Sequence, residues 1–226
     1  MDPYLDPSTG LLRNNVGARD QAELDRIEAA MSAVRAYELQ RMRAPEGFDL
    51  GHLRTVHRHL FGDVYPWAGE LRTVVIEKGT TRFAQPEYID SAARDLFRQL
   101  ARENNLRGLD ADEFSKRAGH YLGEINVLHP FREGNGRAQR AFMGQLADGA
   151  GYHIAWDRVA RDDMTRASIE AYHSGSGRMA QLIRDHLTDR DQARAIELGR
   201  ARAGVDATVM HAEIGQSYTG RVIGTT

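Results

Sequence analysis

The sequence predicts an all-α, mainly helical fold with a small β-hairpin, on two observations. Apolar residues recur at three- and four-residue intervals through most of positions 1–187, and β-forming residues pair up at one place only, between Leu71 and Ala84. Pro3, Pro7, Gly10 and Gly17 break up the first segment, after which Leu24, Ile27, Met31 and Val34 mark a long helix from about Asp20 to Met42. Ala44-Pro-Glu-Gly is a turn, and Leu50, Leu53, Val56, His57 and Leu60 then form one face of a second helix ending near Gly62. Leu71-Arg-Thr-Val-Val-Ile is β-rich, Lys78-Gly-Thr-Thr is turn-like and Arg82-Phe-Ala resumes an extended character, which together predict a short hairpin, the only strand pair expected in the first 187 residues. Pro86 opens a helix to about Asn104. Asp110 caps the next, with Phe114, Ala118, Tyr121 or Leu122, Ile125 and Leu128 as its buried stripe. Further helices are expected over 137–150, 162–172 and 177–187.

After Leu187 the composition turns charged, and 188–204 is expected to be a connecting helix. Ser217-Tyr-Thr-Gly-Arg-Val-Ile-Gly then reads as a lone strand. A single strand cannot satisfy its own backbone, so 205–226 is expected to begin a second, truncated domain after a main domain over 1–187.

Composition narrows the function classes. The 226 residues, 41% apolar and 27% charged, suit one sizeable core with a small appendage. Thirty basic against thirty-two acidic residues leave a formal charge of −2, so no general attraction to nucleic acid or an anionic membrane is expected, and any anion site must be local. Zero cysteines remove disulfides, thiolate metal sites and thiol nucleophiles, and fit a reducing, cytoplasmic compartment. The start has no basic segment followed by an apolar one, and no stretch approaches the ~18 apolar residues that span a bilayer, so neither a secretory leader nor membrane insertion is expected.

The chemistry concentrates in His129-Pro-Phe-Arg-Glu-Gly-Asn-Gly-Arg-Ala-Gln-Arg, a loop leading into a helix. Pro130 biases His129 away from α geometry, leaving an imidazole at a helix end where it can take a proton near neutral pH. Gly134-Asn135-Gly136 lets the backbone turn with positive φ and gathers amide hydrogens at a helix N-terminus, an arrangement that cradles phosphate. Arg137 and Arg140, three apart, share a helical face displaced from the inward Ala138, Phe142 and Leu146 stripe, and can hold further phosphate oxygens. Glu133 is a hard oxygen ligand beside the nest, either a helix-cap carboxylate or a ligand for the Mg²⁺ that a nucleotide phosphate needs. A base, a phosphate nest, a cationic clamp and one carboxylate equip the chain for phosphoryl or nucleotidyl transfer to a hydroxyl, without deciding which phosphorus is attacked.

This segment matches the Fic family motif, His-(Pro)-Phe-x-Asp/Glu-Gly-Asn-Gly-Arg-x-x-Arg, at every fixed position. Phe61-Gly-Asp-Val-Tyr-Pro-Trp-Ala-Gly-Glu-Leu-Arg and Gly151-Tyr-His-Ile-Ala-Trp also resemble the family, so the likeness runs from about Asp2 to Leu187. Within it the chain is most similar to the VbhT-type toxins and related type IV secretion effectors, whose Fic domain precedes an OB-fold and a BID secretion domain; the tail from Tyr218 resembles the beginning of that OB-fold. The resemblance implies transfer of AMP from ATP to a Ser, Thr or Tyr hydroxyl of a target protein. His129 would be the base, and Glu133 would hold Mg²⁺. Gly134, Asn135 and Gly136 would form the anion hole, Arg137 and Arg140 would bind the β- and γ-phosphates, and Phe131 would anchor the loop. Lys78, Gly79, Thr80, Thr81, Arg82 and Phe83 would form the flap that holds the target by strand-like pairing.

Many relatives carry an inhibitory helix with Ser/Thr-x-x-x-Glu-Gly/Asn. Glu46-Gly47 is preceded four residues earlier by Met42 and Glu103-Asn104 by Gln99, so neither matches. The resemblance therefore implies inhibition in trans by a small antitoxin whose Glu pairs with Arg140. It also implies a bacterial cytoplasm, with translocation into a recipient or host cell as the second location. Two alternatives stand beside AMP transfer: kinase or phosphocholine chemistry on the same fold, against which the intact Gly-Asn-Gly argues, and a non-catalytic interaction module. Trp67, Tyr121 and Trp156 read as core or pocket wall, and His52, His57 and His59 as helix surface or core, since no fourth metal ligand accompanies their spacing.

Overall fold

Asp20 starts the first long helix by accepting the Glu23 N–H on its side chain, and α1 runs over Gln21–Arg41. The residues described in this computed structural model are 2–79 and 81–202, with side chains described as far as 196. Asp49 caps α2 (Leu50–Phe61) in the same way, and its buried face is the expected Leu50, Leu53, Val56, His57 and Leu60, extended by Phe61. Pro86 stands at the start of α3 (Pro86–Arg102). Asp110 accepts two backbone N–H groups at the start of α4 (Ala111–Leu128). Then follow α5 (Asn135–Ala150), α6 (Arg161–His173), α7 (Gly177–Asp185) and α8 (Arg190–Arg202).

Helix α4 is the centre of the arrangement. Phe114, Ser115, Ala118, Gly119, Tyr121, Leu122, Gly123, Ile125 and Leu128 are all buried, so both Tyr121 and Leu122 belong to its inner surface. At Gly119 a Cβ would stand 2.6 Å from the Ala180 backbone nitrogen, which is how α4 and α7 come together so closely. Helices α3 and α5 pack against α4, and α2 packs against α5 and α3, burying Leu53, Val56, Ala93, Leu100, Phe142 and Leu146 in one continuous core. No helix among the described residues is long and apolar enough to cross a membrane.

Three expectations require correction. The hairpin exists but is shorter than its β-rich sequence: β1 (Glu77–Lys78) pairs antiparallel with β2 (Thr81–Arg82), Phe83 N–H adds a bond to Ile76 O at 3.4 Å, and further back Arg72 N–H bonds to Pro130 O at 2.9 Å instead. A second antiparallel pair joins β3 (Tyr152–Ile154) to β4 (Leu187–Asp189), so the hairpin is not the only one, and the second pair crosses the boundary drawn after Leu187. Thirdly, the inward face of α1 is Leu24, Glu28, Ser32 and Leu39, while Val34 is 60% exposed. Leu24 lies on the expected stripe and Met31 packs against the core, but the inner face continues through a carboxylate and a hydroxyl and leaves Val34 outside. The strand and domain expected over 205–226 lie outside the described residues.

Candidate active site

Residue His129 ends α4 in the left-handed conformation, φ 44° and ψ 61°, so the expected break before Pro130 takes the form of an αL cap. The chain then descends through Phe131, 1% exposed, whose ring stacks 3.9 Å from that of buried His57 and so anchors the loop as expected. It rises again to Gly134 at φ 78°, the N-cap of α5. A Cβ at Gly134 would stand 2.5 Å from Phe61, so this position excludes a side chain twice over, by backbone and by space. Gly136 differs from the expectation: it lies inside the first turn of α5 and has no positive φ. A Cβ there would make ordinary contact with Nη1 of Arg140 at 3.5 Å.

Asn135 plays two parts. Its side chain is buried and bonds both ways across the loop, accepting Phe131 N–H at 2.9 Å and donating to Phe131 O at 2.7 Å. Only its backbone N–H, with those of Gly136 and Arg137, remains in the first turn without an intrahelical acceptor, since Ala138 N–H is the first to bond back, to Gly134 O. The Gly134 N–H is held at 2.9 Å by Oε1 of Glu133. That exposed carboxylate therefore behaves partly as a cap, and Oε1 also lies 3.9 Å from Arg137, while Oε2 carries neither contact.

The two arginines have different surroundings. Arg137 lies over the Phe61 ring at 4.7 Å and donates to Oε1 of Glu28 on α1 and, at 3.2 Å, to Ser32 Oγ. Glu28 also accepts a hydrogen bond from Tyr65 Oη. Arg140, by contrast, has no hydrogen bond or ion pair among the described residues, and burial together with the Arg137 charge pushes its pKa down. A desolvated cation near unpaired helix-start amides is an arrangement that favours negative charge.

The imidazole of His129 is equally poised. Its Nδ1 lies 3.3 Å from Asn126 O. A carbonyl oxygen only accepts, so Nδ1 carries the hydrogen and Nε2 keeps a lone pair. Burial, then the charges of Arg72 and Lys78, hold the pKa down at about 4, so the ring is neutral at neutral pH. One face of the ring is covered by Phe83, stacked at 3.8 Å, so this hairpin residue faces inward. Thr81 is buried too, whereas Lys78, Gly79 and Arg82 are exposed at the tip, Arg82 pairing with Glu77 at 3.4 Å. Thr80 lies outside the described residues.

Two supporting residues carry roles that no spacing announced. His57 accepts Gly69 N–H on Nδ1 at 2.9 Å and donates from Nε2 to Glu133 O at 2.9 Å, fixing the anion loop from below as a neutral ring with a pKa pushed down to about 4, chiefly by burial. Arg72 grips the carbonyls around His129. Trp67 and Tyr121 are core, as expected; His52 bonds Gln145 at 2.7 Å, and no group of three or more His, Asp or Glu that could hold a metal occurs among the described residues. A groove of about 740 Å³ between α4 and α7 contains none of the loop residues, so chemistry rather than cavity size locates the site.

The helical frame thus sets a neutral imidazole before one amide-rich loop and an arginine without a carboxylate partner in the helix that follows it. Residues 47–147 match the model of the Fic/DOC family. The chain is 50% identical over 218 residues to the protein adenylyltransferase VbhT of Bartonella schoenbuchensis, covering 96% of this chain and 45% of that protein. It is 41% identical to the probable protein adenylyltransferase Fic of Escherichia coli, covering 74% of this chain and 82% of that one. Among solved structures, the VirB-translocated effector BepC of Bartonella tribocorum with bound AMPPNP superposes with a TM-score of 0.78 at 29% identity, covering 83% of this chain and 97% of that one. The chain belongs to the Fic/DOC family. It spans slightly less than half the length of the Bartonella schoenbuchensis relative.

Proposed function

We propose that this chain transfers AMP from ATP to a Ser, Thr or Tyr hydroxyl of a target protein. The observation that carries the reading is that Arg140, without a carboxylate partner, shares α5 with first-turn amides that lack intrahelical acceptors, while His129 at the start of the preceding loop keeps Nε2 free. Nε2 takes the hydroxyl proton as the oxygen attacks the α-phosphorus, and pyrophosphate leaves. The backbone amides of Asn135, Gly136 and Arg137 receive phosphate oxygens, as Gly134 N–H already receives the Glu133 carboxylate. Arg140 takes the terminal phosphate and Arg137 the one before it. The pKa of about 4 describes His129 without substrate; the negative triphosphate raises it toward the working pH, where a base is effective.

Mg²⁺ fits the site through Glu133, since this magnesium-type ion uses one or two carboxylates plus phosphate and water, and Oε2 of Glu133 carries no contact among those described. Once bound it would neutralise phosphate charge. The hairpin from Lys78 to Arg82, with its two-residue ladder and exposed tip, suits strand-like pairing with the target segment, while Phe83 covers the base. The unpaired Arg140 is also where the carboxylate of a small antitoxin would bind, which supports a toxin or secreted effector held in check by a partner. The cytoplasm of a bacterium is the proposed site of synthesis, with export into a recipient or host cell.

ATP labelled at the α- or the γ-phosphate, incubated with Mg²⁺ and bacterial or eukaryotic lysates, tests the reaction. Transfer of α-label alone, abolished in His129→Ala, is the expected result. Label from γ would assign a kinase, and no label in either lysate would favour an interaction module.

A further inference from the structure

Arg72 is only 2% exposed, and among the described residues it pairs with no carboxylate. Burying a cation without a counter-ion is tolerated only when its donors are satisfied, and burial pushes the Arg72 pKa down. Its donors go to carbonyl oxygens: Nε to His129 O at 2.8 Å, Nη1 to Val74 O at 2.6 Å, and Nη2 to Ala84 O at 2.5 Å and Leu128 O at 3.2 Å. Leu128 and His129 are the last residue and the cap of α4, where carbonyls lack intrahelical donors and the helix dipole favours a positive charge. Val74 and Ala84 lie on the two arms leading into the hairpin. The backbone adds two more ties, Arg72 N–H to Pro130 O at 2.9 Å and Ala84 N–H to Val127 O at 3.1 Å.

We infer that Arg72 is a positioning residue that fixes the catalytic histidine and the hairpin as one rigid unit, so that the imidazole and the segment presented by the hairpin keep a constant register. The left-handed φ of 44° at His129 supports this, because a residue with a Cβ stays there only when its surroundings hold it. A planar fork reaches carbonyls on three segments at once; a lysine ammonium, a point charge on a flexible stem, does not. The anion loop has separate supports in Asn135 and His57, so the unit held by Arg72 is distinct from the phosphate nest. The inference rests on the proposed role of His129 as base.

The test uses the full chain with Arg72→Lys and Arg72→Met, reading amide exchange, ATP binding by calorimetry, the unfolding transition, and AMP transfer at saturating ATP. Faster exchange at the amides of Ala84 and of position 72, ATP affinity within about threefold of the parent, and kcat lower by about 100-fold are expected, the size of loss that a misplacement near 1 Å produces. Arg72→Lys should resemble Arg72→Met, and in a third variant, Arg72→Ala, added guanidinium ion should restore part of the lost kcat. Unchanged kcat in Arg72→Met, ATP affinity falling in step with kcat, or loss of folding in both variants would each overturn the inference. If the parent chain transfers no AMP, the proposed activity has failed; unchanged exchange in Arg72→Met would then still refute the tether, and faster exchange would support it.

Discussion

The ring of Phe83 lies 3.8 Å from that of His129, inclined by 18°, so a residue of the hairpin arm seals one face of the proposed base. Because burial is the first cause of the low His129 pKa, removing the cover should raise it. In Phe83→Ala the His129 ring, followed by NMR titration, is expected to titrate at least one unit above about 4, moving toward the ordinary histidine value. An unmoved midpoint would assign the depression to the charges of Arg72 and Lys78 instead.

Both His57 and His129 are held neutral, each with a pKa pushed down to about 4 from 6.5. In the unfolded chain they bind protons at higher pH than in the native protein, so stability is complete above about 6.5 and is lost progressively as pH falls toward 4. Denaturant midpoints measured from pH 7.5 to 4.5 should therefore decline, and His57→Gln should flatten part of that decline. A flat profile across this window would contradict the buried neutral rings.

Gly134 and Gly136 should respond oppositely to alanine. Gly134→Ala meets both the left-handed backbone and the Phe61 ring at 2.5 Å, and is expected to cost about 2–4 kcal/mol of stability. Gly136→Ala sits in helical backbone with its nearest new neighbour 3.5 Å away, so stability should be unchanged or up to about 1 kcal/mol higher. Any loss of ATP binding in Gly136→Ala then reports crowding of the phosphate nest and Arg140 rather than unfolding. Thermal melts with calorimetric ATP titrations decide both.

Glu28 holds Arg137 and Tyr65 together on the inner face of α1. Glu28→Gln keeps the shape but removes the charge, and should destabilise the fold by about 1–2 kcal/mol, less than a fully buried pair because the Arg137 side chain is 32% exposed. A melting temperature lower by roughly 2–8 °C is the expected reading. If the same change raised AMP transfer strongly, an internal carboxylate would be the restraint and inhibition in trans would lose its support.

Sequence reading succeeded where the buried face is apolar and failed where it is not. The stripes of α2 and α4 were legible from Leu53 and Val56 or Phe114 and Ile125, but α1 turns Glu28 and Ser32 inward, so its apolar spacing located Leu24 and Met31 and misplaced Val34. The extended character of 71–76 was legible; that its partners would be loop carbonyls was not, because they belong to residues about as distant as Pro130. Strands β3 and β4 are three residues each and are separated by two helices, with no turn between them to announce a pair. His129, Gly134, Arg137 and Arg140 were spelled out in one contiguous motif. Their supports were not: Arg72, His57 and Glu28 lie 57, 76 and 109 residues from the groups they hold, and only the fold brings them there.

The central claim is that His129 acts as a base beside a phosphate site it does not itself form. The most direct measurement compares the parent and His129→Ala for ATP affinity and for AMP transfer in the same preparation. ATP affinity within about threefold and transfer reduced by at least about 100-fold is the predicted pair of results, the loss expected for a missing general base. Transfer persisting within tenfold of the parent, or ATP binding lost together with it, would contradict the account.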